Sequence, residues 1–370
     1  MRQRPQRLER LPEQYFGALL ARVAAAGDVV DLGRGNPETG PPQHVIDTLA
    51  EAANKPTAHG YTPFRGLPAL REAIAERYHT VYGVELDPET EVAVVPGTKT
   101  AIVELCLALT EDGSVVLPDP WYPDYPSGPA LAGAALTTVP LDPANHWQPD
   151  FARAPRDDVA AVYLNYPSNP CAVVVRESTF EAAIDYASET GAAVVHDFAY
   201  ADLVFDGREP RSFLATTGAK DVGVEMFSMS KSYGMAGWRL GFVLGNAEIV
   251  ERMNLLNDHC RVGIFRPVQE AAIAALTGPQ ESVGERAAMY QRRRDRVLEV
   301  VDAVSEGTFF VWFELPNRLT AEQLLREHRL AVAPGEGFGP SGAGWARISL
   351  AVTDDTLDLG LERLRSALRT

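Results

Sequence analysis

The hydrophobic positions between about Val45 and Asn246 alternate between two kinds of pattern. Short apolar runs predict strands, and apolar residues that recur every three or four positions predict helices. The predicted strands are Val92–Val95, Ser114–Leu117, Val159–Leu164, Ala193–His196, Val224–Phe227 and Leu240–Leu244. The predicted helices are Pro68–Tyr82, Thr98–Leu109, Ser178–Thr190 and a helix from Ala247 onward. Strands that alternate with helices predict a largely parallel sheet that is covered on both faces.

The pattern changes in the last third of the chain, which we interpret as a smaller α+β domain. Its predicted elements are a long helical stretch Ile249–Leu276, a helix Glu285–Val304, strands Phe309–Glu314, Leu330–Ala333 and Ala346–Ala351, and a helix Asp355–Arg369. A chain of 370 residues exceeds what one hydrophobic core usually organises. We therefore predict a large domain at 45–255 and a small domain formed by 1–44 together with 256–370.

Composition and charge exclude several classes of partner. The formal net charge of −16 argues against nucleic acid and anionic membranes, which require a basic surface. Three scattered cysteines are too few for a disulfide framework, and no C-x-x-C or H-E-x-x-H pair indicates a metal site. No apolar run approaches the ~18 residues that span a membrane, and Met1–Leu20 lacks the apolar core of a secretory signal. We expect a cytoplasmic enzyme without a metal.

A lysine follows the predicted strand Val224–Phe227 within the segment Ser228–Gly241. Functional groups of open α/β sheets collect at the carboxyl ends of strands, and a lysine there can form a Schiff base with an aldehyde cofactor. Ser228 and Arg239 can both bind an anion, since the guanidinium fork suits phosphate geometry. An isolated lysine is more often a solvated surface residue, but the complete segment favours a catalytic role for Lys231.

Two further strand ends carry groups that suit a pyridine ring. Asp197 follows the strand Ala193–His196, where a carboxylate can pair with the protonated ring nitrogen of pyridoxal 5'-phosphate (PLP). Tyr200 and Asn169, which lies after Val159–Leu164, can each donate a hydrogen bond to the phenolic oxygen of that ring. Taken singly, Asp197 can equally cap a turn, and Asn169 can belong to an ordinary proline-bracketed turn.

The last two strand ends complete the set. Gly97, Thr98 and Lys99 follow Val92–Val95 and open a predicted helix, whose free N–H groups and dipole attract phosphate. Tyr122 lies in an aromatic turn after the next strand and can stack on a planar cofactor, although any ring of this turn can also be core. Together the five strand ends offer a lysine, a pyridinium partner, phenolate donors, a phosphate site and a stacking ring.

At these residues the sequence resembles the class I/II aminotransferase family of fold-type I PLP enzymes, from Leu11 to Leu368. Ser228–Gly241 is similar to the family's S-x-S-K…G-x-R-x-G signature, and Tyr61–Arg71 matches a second motif. The resemblance implies an α/β fold with a large PLP-binding domain, whose mostly parallel sheet is flanked by helices, and a smaller α+β domain. It also implies a homodimer with active sites at the subunit interface.

The resemblance implies roles for residues elsewhere in the chain. Tyr61 matches a tyrosine that reaches the phosphate of the neighbouring subunit. Arg347, in Trp345–Leu350, matches the arginine that holds the substrate α-carboxylate, and Gly35 falls where the backbone approaches that carboxylate. The implied reaction is ping-pong transamination between an L-amino acid and a 2-oxo acid. Lys231 would bind PLP as a Schiff base and act as general acid and base, with Asp197 and Tyr200 completing the catalytic set.

The closest-looking branch includes methionine-salvage, alanine and diaminopimelate-type transaminases. Cys171 and Ala172 stand where the family usually has Thr-Gly, and the chain is shorter than its relatives between Val301 and Thr308. These departures keep open a natural-product transaminase with an unusual 2-oxo acid substrate. For Lys99 we hypothesise a preference for dicarboxylic substrates, against the alternative of a lysine that faces solvent.

Other reaction classes fit much of the same pattern. A PLP-dependent lyase, decarboxylase or amino-acid oxidase uses this fold and most of this site, because the reaction type depends on which Cα bond is perpendicular to the ring. A regulatory binding module on an inactive enzyme fold is a different class. The joint presence of Lys231, Asp197, Tyr200, Asn169 and Arg239 argues against that module.

Overall fold

The computed structural model describes residues 4–316 and 319–369 and contains a seven-stranded sheet. Its strands are β2 (Val92–Val95), β3 (Ser114–Asp119), β4 (Ala135–Pro140), β5 (Val159–Asn165), β6 (Ala193–Asp197), β7 (Gly223–Ser228) and β8 (Gly241–Gly245). Their spatial order is β2-β8-β7-β6-β5-β3-β4. Only β8 runs antiparallel to its neighbours, β2 and β7. The α/β fold with a mostly parallel sheet is therefore confirmed.

The edge strand β4 has no counterpart among the predicted strands. It pairs with β3 alone, and its first residues Ala135 and Leu136 are exposed while Thr137 and Thr138 are half-buried. One side of an edge strand is open to solvent, so polar residues replace the continuous apolar run that marks a central parallel strand.

Helices cover both faces of the sheet. The helices of the first three quarters of the chain are α1 (Gln6–Glu9), α2 (Tyr15–Ala26), α3 (Gln43–Ala53), α4 (Pro68–Tyr82), α5 (Thr98–Leu109), α6 (Ser127–Ala132), α7 (Glu177–Thr190), α8 (Ala219–Val222), α9 (Met229–Ser232), α10 (Ala247–Cys260) and α11 (Arg266–Thr277). Both bounds of α4 and α5 match the predicted ones. Pro68 begins α4, and Gly83 ends it in the left-handed conformation that favours glycine. None of the described helices combines the length and apolar character that a membrane span requires.

The predicted helical stretch Ile249–Leu276 is wrong as one continuous element. Helix α10 ends at Cys260, and α11 begins at Arg266. Between them Gly263 has a φ of +83°, a left-handed conformation that interrupts a helix, and Pro267 suits the first turn of the next one.

The C-terminal part forms two smaller sheets. Strands β9 (Phe310–Glu314), β12 (Trp345–Ser349) and β11 (Ala333–Pro334) are antiparallel neighbours, while β10 (Leu330–Ala331) pairs in parallel with β1 (Val30–Asp31). Around them lie α12 (Glu281–Leu298), α13 (Ala321–Glu327) and α14 (Asp354–Leu368). The predicted strand Leu330–Ala333 is thus divided, because the chain passes from one sheet to the other at Val332. Most members of one apolar cluster belong to this part, and Ala199, Tyr200, Leu203 and Phe205 join them from the region of the large sheet. The two-domain division stays a prediction.

Candidate active site

A cavity of about 400 Å³ lies at the carboxyl ends of the parallel strands. Its lining includes eleven of the residues that the sequence predicts for the site: Gly35, Thr98, Lys99, Tyr122, Asn169, Asp197, Tyr200, Ser228, Lys231, Arg239 and Arg347. A larger cavity of about 640 Å³, lined by Tyr166, Arg208 and Arg211 among others, contains none of them. The chemistry therefore collects in the smaller cavity.

Lys231 lies in the single turn α9, directly after β7. The Ser228 hydroxyl accepts a hydrogen bond from the Ser230 N–H at 3.2 Å, which caps this turn and fixes its direction. The Lys231 Nζ lies 3.4 Å from the Gly35 carbonyl oxygen, and part of the side chain faces the cavity. Burial, reinforced by the charges of Arg347 and Arg239, lowers the pKa of Lys231 to about 8. At pH 7 about a tenth of Lys231 is then the neutral amine, a far larger fraction than an ordinary lysine has.

Asp197 is the last residue of β6 and is held from several sides. Its carboxylate accepts hydrogen bonds from the Tyr125 hydroxyl at 2.8 Å and from the Ala199 N–H at 3.1 Å. Asn165 at the end of β5 donates to the Asp197 carbonyl at 2.9 Å and accepts from the Asn169 N–H at 2.7 Å. Burial raises the pKa of Asp197, and the Tyr125 hydrogen bond opposes this rise. A cationic ring nitrogen is a fitting partner for such a carboxylate.

Asn169 contacts two other residues that line the cavity, Tyr200 and Arg347. Its Nδ2 lies 3.4 Å from the Tyr200 hydroxyl, and its Oδ1 accepts a hydrogen bond from Arg347 Nη1 at 2.7 Å. Burial raises the pKa of Tyr200, so this phenol stays protonated and can donate. The structure thus brings Tyr200 and Asn169 together, as predicted donors to a phenolic oxygen.

The turn after β2 leaves room for a phosphate group. Gly97 has a φ of +84°, and a Cβ there would lie 2.5 Å from Arg239 Nη2. Thr98 begins α5, whose first N–H groups are free to bind an anion, and the Ser228 and Ser230 side chains line the same cavity. Gly97 itself does not line the cavity, but its lack of a side chain permits the approach of Arg239. These donors, with Lys231 and Asp197, fit PLP.

Arg347 is a buried cation without an acidic partner. It is 1% exposed, and no described carboxylate forms an ion pair with it. Besides Asn169, it donates to the Gly33 carbonyl at 3.3 Å, and its Nε has no hydrogen-bond partner among residues 4–316 and 319–369. Burial lowers the pKa of Arg347 to about 10. A buried charge is costly unless it is paired, so this arrangement favours a carboxylate ligand.

Aromatic rings enclose that guanidinium. Its carbon lies 3.7 Å from the ring centre of Phe310, 4.7 Å from that of Phe338 and 5.3 Å from that of Phe16. A Cβ on Gly35 would lie 2.8 Å from Phe310, so only glycine fits at this close approach. Phe16 belongs to α2 and covers the cavity.

Tyr61 is the one predicted site residue that lies well apart from the cavity. Its side chain is 88% exposed, and its assigned contact with a neighbouring subunit stays a prediction. Sequence reasoning missed Tyr125, Asn165, Ser230 and Phe310. Of these, Tyr125 had a detectable signal, because it stands three residues after Tyr122 in the same aromatic turn.

Comparison with known proteins shows which family the chain belongs to. Residues 27–364 match the family described as aminotransferase class I and II. The chain is 42% identical to the L-glutamine–4-(methylsulfanyl)-2-oxobutanoate aminotransferase of Bacillus subtilis strain 168, over 95% of this chain and 92% of that protein. It is 37% identical to the LL-diaminopimelate aminotransferase of Moorella thermoacetica, over 99% and 98% of the two chains.

The solved structures lead to the same family. Substrate-bound BacF from Bacillus subtilis superposes with a TM-score of 0.93 at 37% identity, over 99% of this chain and 98% of that one. An aspartate aminotransferase variant from Thermus thermophilus gives a TM-score of 0.92 at 28% identity, over 99% and 100% of the chains. This chain is a PLP-dependent aminotransferase of fold type I, and it belongs to the aminotransferase class I and II family.

Proposed function

We propose that the 400 Å³ cavity is the active site and that it moves an amino group from an L-amino acid to a 2-oxo acid in two half-reactions. The observation that carries this proposal is the meeting of Lys231, Asp197 and Arg347 around one cavity. When bound, PLP supplies an electron sink for the Cα of the amino acid. The protein's own side chains bind and orient the substrate and move the proton.

Lys231 attaches the cofactor and carries the proton. Its amine, with a pKa of about 8, can accept a proton from the substrate Cα and return it nearby. Asp197 would hold a positive charge on the cofactor ring, and the hydrogen bond from Tyr125 keeps that carboxylate oriented. Tyr200 and Asn169 would donate to the phenolic oxygen, and Tyr122 would pack against the ring. The phosphate would be held by Gly97, Thr98, Lys99, Ser228 and Arg239.

Arg347 binds the α-carboxylate of the substrate. Its two outer nitrogens can form the paired hydrogen bonds that suit a carboxylate. Asn169 and the Gly35 backbone lie beside it and orient the ligand. Phe16 and Phe310 exclude water from this contact, which strengthens it because screening by solvent is reduced.

We also propose a homodimer in which Tyr61 reaches the phosphate of the partner's site. Tyr61 is surrounded in sequence and space by apolar side chains that are unusually exposed for their type, namely Phe64 (42%), Val262 (53%) and Phe265 (50%). The Thr62 hydroxyl donates to the Ile264 carbonyl at 3.0 Å and so joins the two segments. A contiguous exposed apolar surface is typical of an association site. Sedimentation velocity of the wild type and a Phe265→Asp variant tests it, since the variant should be monomeric.

The natural substrates are a finer proposal. The relatives named above act on L-glutamine with 4-(methylsulfanyl)-2-oxobutanoate and on LL-diaminopimelate, and we propose a donor and acceptor of similar size. A divergent natural-product acceptor is an alternative that Cys171 and Ala172 favour. We place the enzyme in the cytoplasm, where its three free cysteines, Cys106, Cys171 and Cys260, would stay reduced.

The decisive experiment follows the absorption spectrum of the PLP-loaded protein during addition of single amino donors. Conversion to the pyridoxamine form, with release of a 2-oxo acid and recovery on addition of a second 2-oxo acid, is the expected result. Lys231→Ala should abolish the conversion, and Lys220→Ala, a lysine outside the cavity, should not. Release of ammonia and pyruvate without an acceptor would instead identify a lyase, and loss of carbon dioxide a decarboxylase.

A further inference from the structure

The charge of Lys99 is already neutralised within the protein. Its Nζ lies 2.8 Å from Asp124 Oδ2, and the side chains are 54% and 11% exposed respectively. Lys99 lines the cavity that also contains Arg347, whereas Asp124 lies behind it. A substrate whose α-carboxylate is on Arg347 therefore extends its side chain into a space bounded by an ion pair, not by a free cation.

Asp124 is also tied to the segment that covers the cavity. Its Oδ1 accepts a hydrogen bond from Gln14 Nε2 at 3.1 Å. The same Gln14 side chain accepts from the Gly17 N–H at 2.6 Å and so caps α2, which carries Phe16 over Arg347. Asp124 therefore connects Lys99 to the covering helix through one side chain, and its carboxylate is used by both.

A second carboxylate on the substrate would disturb this arrangement. To bind Lys99, it would have to draw the ammonium group away from Asp124, which would keep its charge nearly buried with the Gln14 amide and the Tyr122 hydroxyl as partners. A nearly buried carboxylate that loses its counterion is destabilised. The two carboxylates would also repel each other across a partly desolvated space. A neutral side chain imposes neither cost.

A neutral amide has a further advantage at this position. Its carbonyl oxygen can accept from the Lys99 ammonium, while its N–H groups can donate to Asp124 without breaking the pair. A thioether or alkyl side chain is compatible with the neighbouring rings of Phe16 and Tyr122, which lie 6.2 Å apart between centres. The site thus distinguishes substrates by charge at the far end of the side chain.

From this geometry we propose that Asp124 is a specificity-determining residue that selects substrates with an uncharged side chain and rejects dicarboxylic acids. The inference rests on the proposed active site and reverses the preference that the sequence suggested for Lys99. Its substrate class is neutral amino acids with an amide or apolar end, together with the matching 2-oxo acids.

The test uses two pairs of ligands. Within each pair, one ligand has a carboxylate where the other has an amide. The first pair, glutarate and glutaramate, is measured by calorimetric titration of the PLP-loaded protein and needs no turnover. The second pair, L-glutamate and L-glutamine, is measured as the rate of cofactor conversion. In the wild type the amide should be preferred by about tenfold in both measurements, which is a typical size for one charge contact.

Replacing the Asp124 carboxylate should reverse the preference for amide ligands. In Asp124→Asn the Lys99 charge is free, so glutarate and L-glutamate should gain about tenfold relative to the amides. Lys99→Ala leaves Asp124 unpaired and should weaken the dicarboxylates further, which supplies an answer even if Asp124→Asn folds poorly. Glu91→Gln is the matched control, because it breaks a 2.7 Å pair with Lys220 outside the cavity and should leave both ratios unchanged.

The outcomes separate this inference from the proposed function. If neither amino acid converts the cofactor in the wild type, the proposed function fails. If both are converted but the ratios stay within twofold of the wild type in Asp124→Asn and in Lys99→Ala, the role of Asp124 is overturned while the active site stands. A wild-type preference for glutarate over glutaramate would also overturn it.

Discussion

Two sets of buried charged groups in this enzyme differ in how completely their hydrogen-bonding capacity is used. On one side of β6, Glu225 is fully buried and accepts from the Tyr78 hydroxyl (2.7 Å), the Ser212 hydroxyl (2.8 Å) and the Phe213 N–H (2.7 Å). It is also hydrogen-bonded to His196 Nδ1 at 2.7 Å. Every acceptor position of this carboxylate has a partner.

In the cavity, by contrast, the buried charge of Arg347 is incompletely partnered. Arg347 has an amide oxygen and a carbonyl oxygen but no described carboxylate partner, and its Nε is unpaired. A satisfied pair such as His196–Glu225 has no capacity left for a ligand, so it contributes to the folded structure alone. A buried charge without a counterion destabilises the ligand-free protein. It is retained because a bound ligand supplies the missing counterion.

The largest effect should come from removing the open charge. Arg347→Met should lower kcat/KM by roughly three orders of magnitude, because truncating one member of a buried charge pair costs about 4 kcal/mol in binding. The stability of the cofactor-free protein should not fall, since an uncompensated charge is replaced by an apolar side chain. Steady-state kinetics and urea unfolding measure the two quantities.

The matched control is Arg293→Met. Arg293 is also buried, but it is paired with Asp354 and Glu38. This variant should lose stability and keep kcat/KM per folded molecule. Equal losses of stability in Arg347→Met and Arg293→Met would contradict the distinction between a buried charge without an acidic partner and one that is paired.

Breaking the satisfied pair should affect folding instead of chemistry. Glu225→Gln replaces a fully buried, fully hydrogen-bonded carboxylate with an amide whose NH2 group cannot accept, and we expect a loss of about 3 kcal/mol in the free energy of unfolding. The folded fraction should keep its kcat/KM. A fall in kcat/KM comparable to that of Arg347→Met would show that the pair takes part in the reaction through its neighbour Asp197.

The buried amine of Lys231 should make the stability of the protein depend on pH. Its pKa in the folded protein is about 8, against 10.5 ordinarily, so between these values the unfolded state binds more protons. The cofactor-free wild type should therefore gain stability relative to Lys231→Met as pH rises from 8 to 10.5, by up to about 1.4 kcal/mol per pH unit. Urea unfolding at several pH values measures this, and a constant difference across the range would contradict it.

The smallest effect concerns Ala172. Its φ of +58° is in the left-handed region, which costs a residue with a Cβ roughly 1 kcal/mol. Ala172→Gly should raise the free energy of unfolding by less than about 1 kcal/mol, because glycine also gives the unfolded chain more freedom. Ala182→Gly, inside α7, should instead lower it. A loss of stability in Ala172→Gly would contradict the assigned strain.

The sequence predicts those parts of the fold that local patterns determine. Helix α4 has the predicted bounds because Pro68 and Gly83 mark its ends. Helix α5 has them because an apolar strand, β2, precedes it. Strand β4 escapes prediction because its sequence reflects its place at the edge of the sheet. The division of Leu330–Ala333 between two sheets is likewise set by distant partners, β1 and β12, that no local pattern reveals.

For the site, the residue types were predictable and their mutual contacts were not. Lys231, Asp197 and Arg347 belong to recognisable segments, so the sequence brings them into one hypothesis. The hydrogen bond from Tyr125 to Asp197 joins residues far apart in the chain, as does the contact between Asp124 and Lys99. Such pairs depend on how strand ends converge, and the selectivity that we propose for Lys99 depends on one of them.

The antiparallel strand β8 has a consequence for how readily this family can be detected. Ser228 at the end of β7 pairs with Gly241 at the start of β8, so the chain between them returns to the edge that it left. Lys231 and Arg239 are therefore contributed to the cavity by one short loop. Had β8 been parallel, a crossover connection would have separated them widely in the chain. The family signature is short because the antiparallel β8 keeps Lys231 and Arg239, which have different roles in the cavity, close together in the sequence.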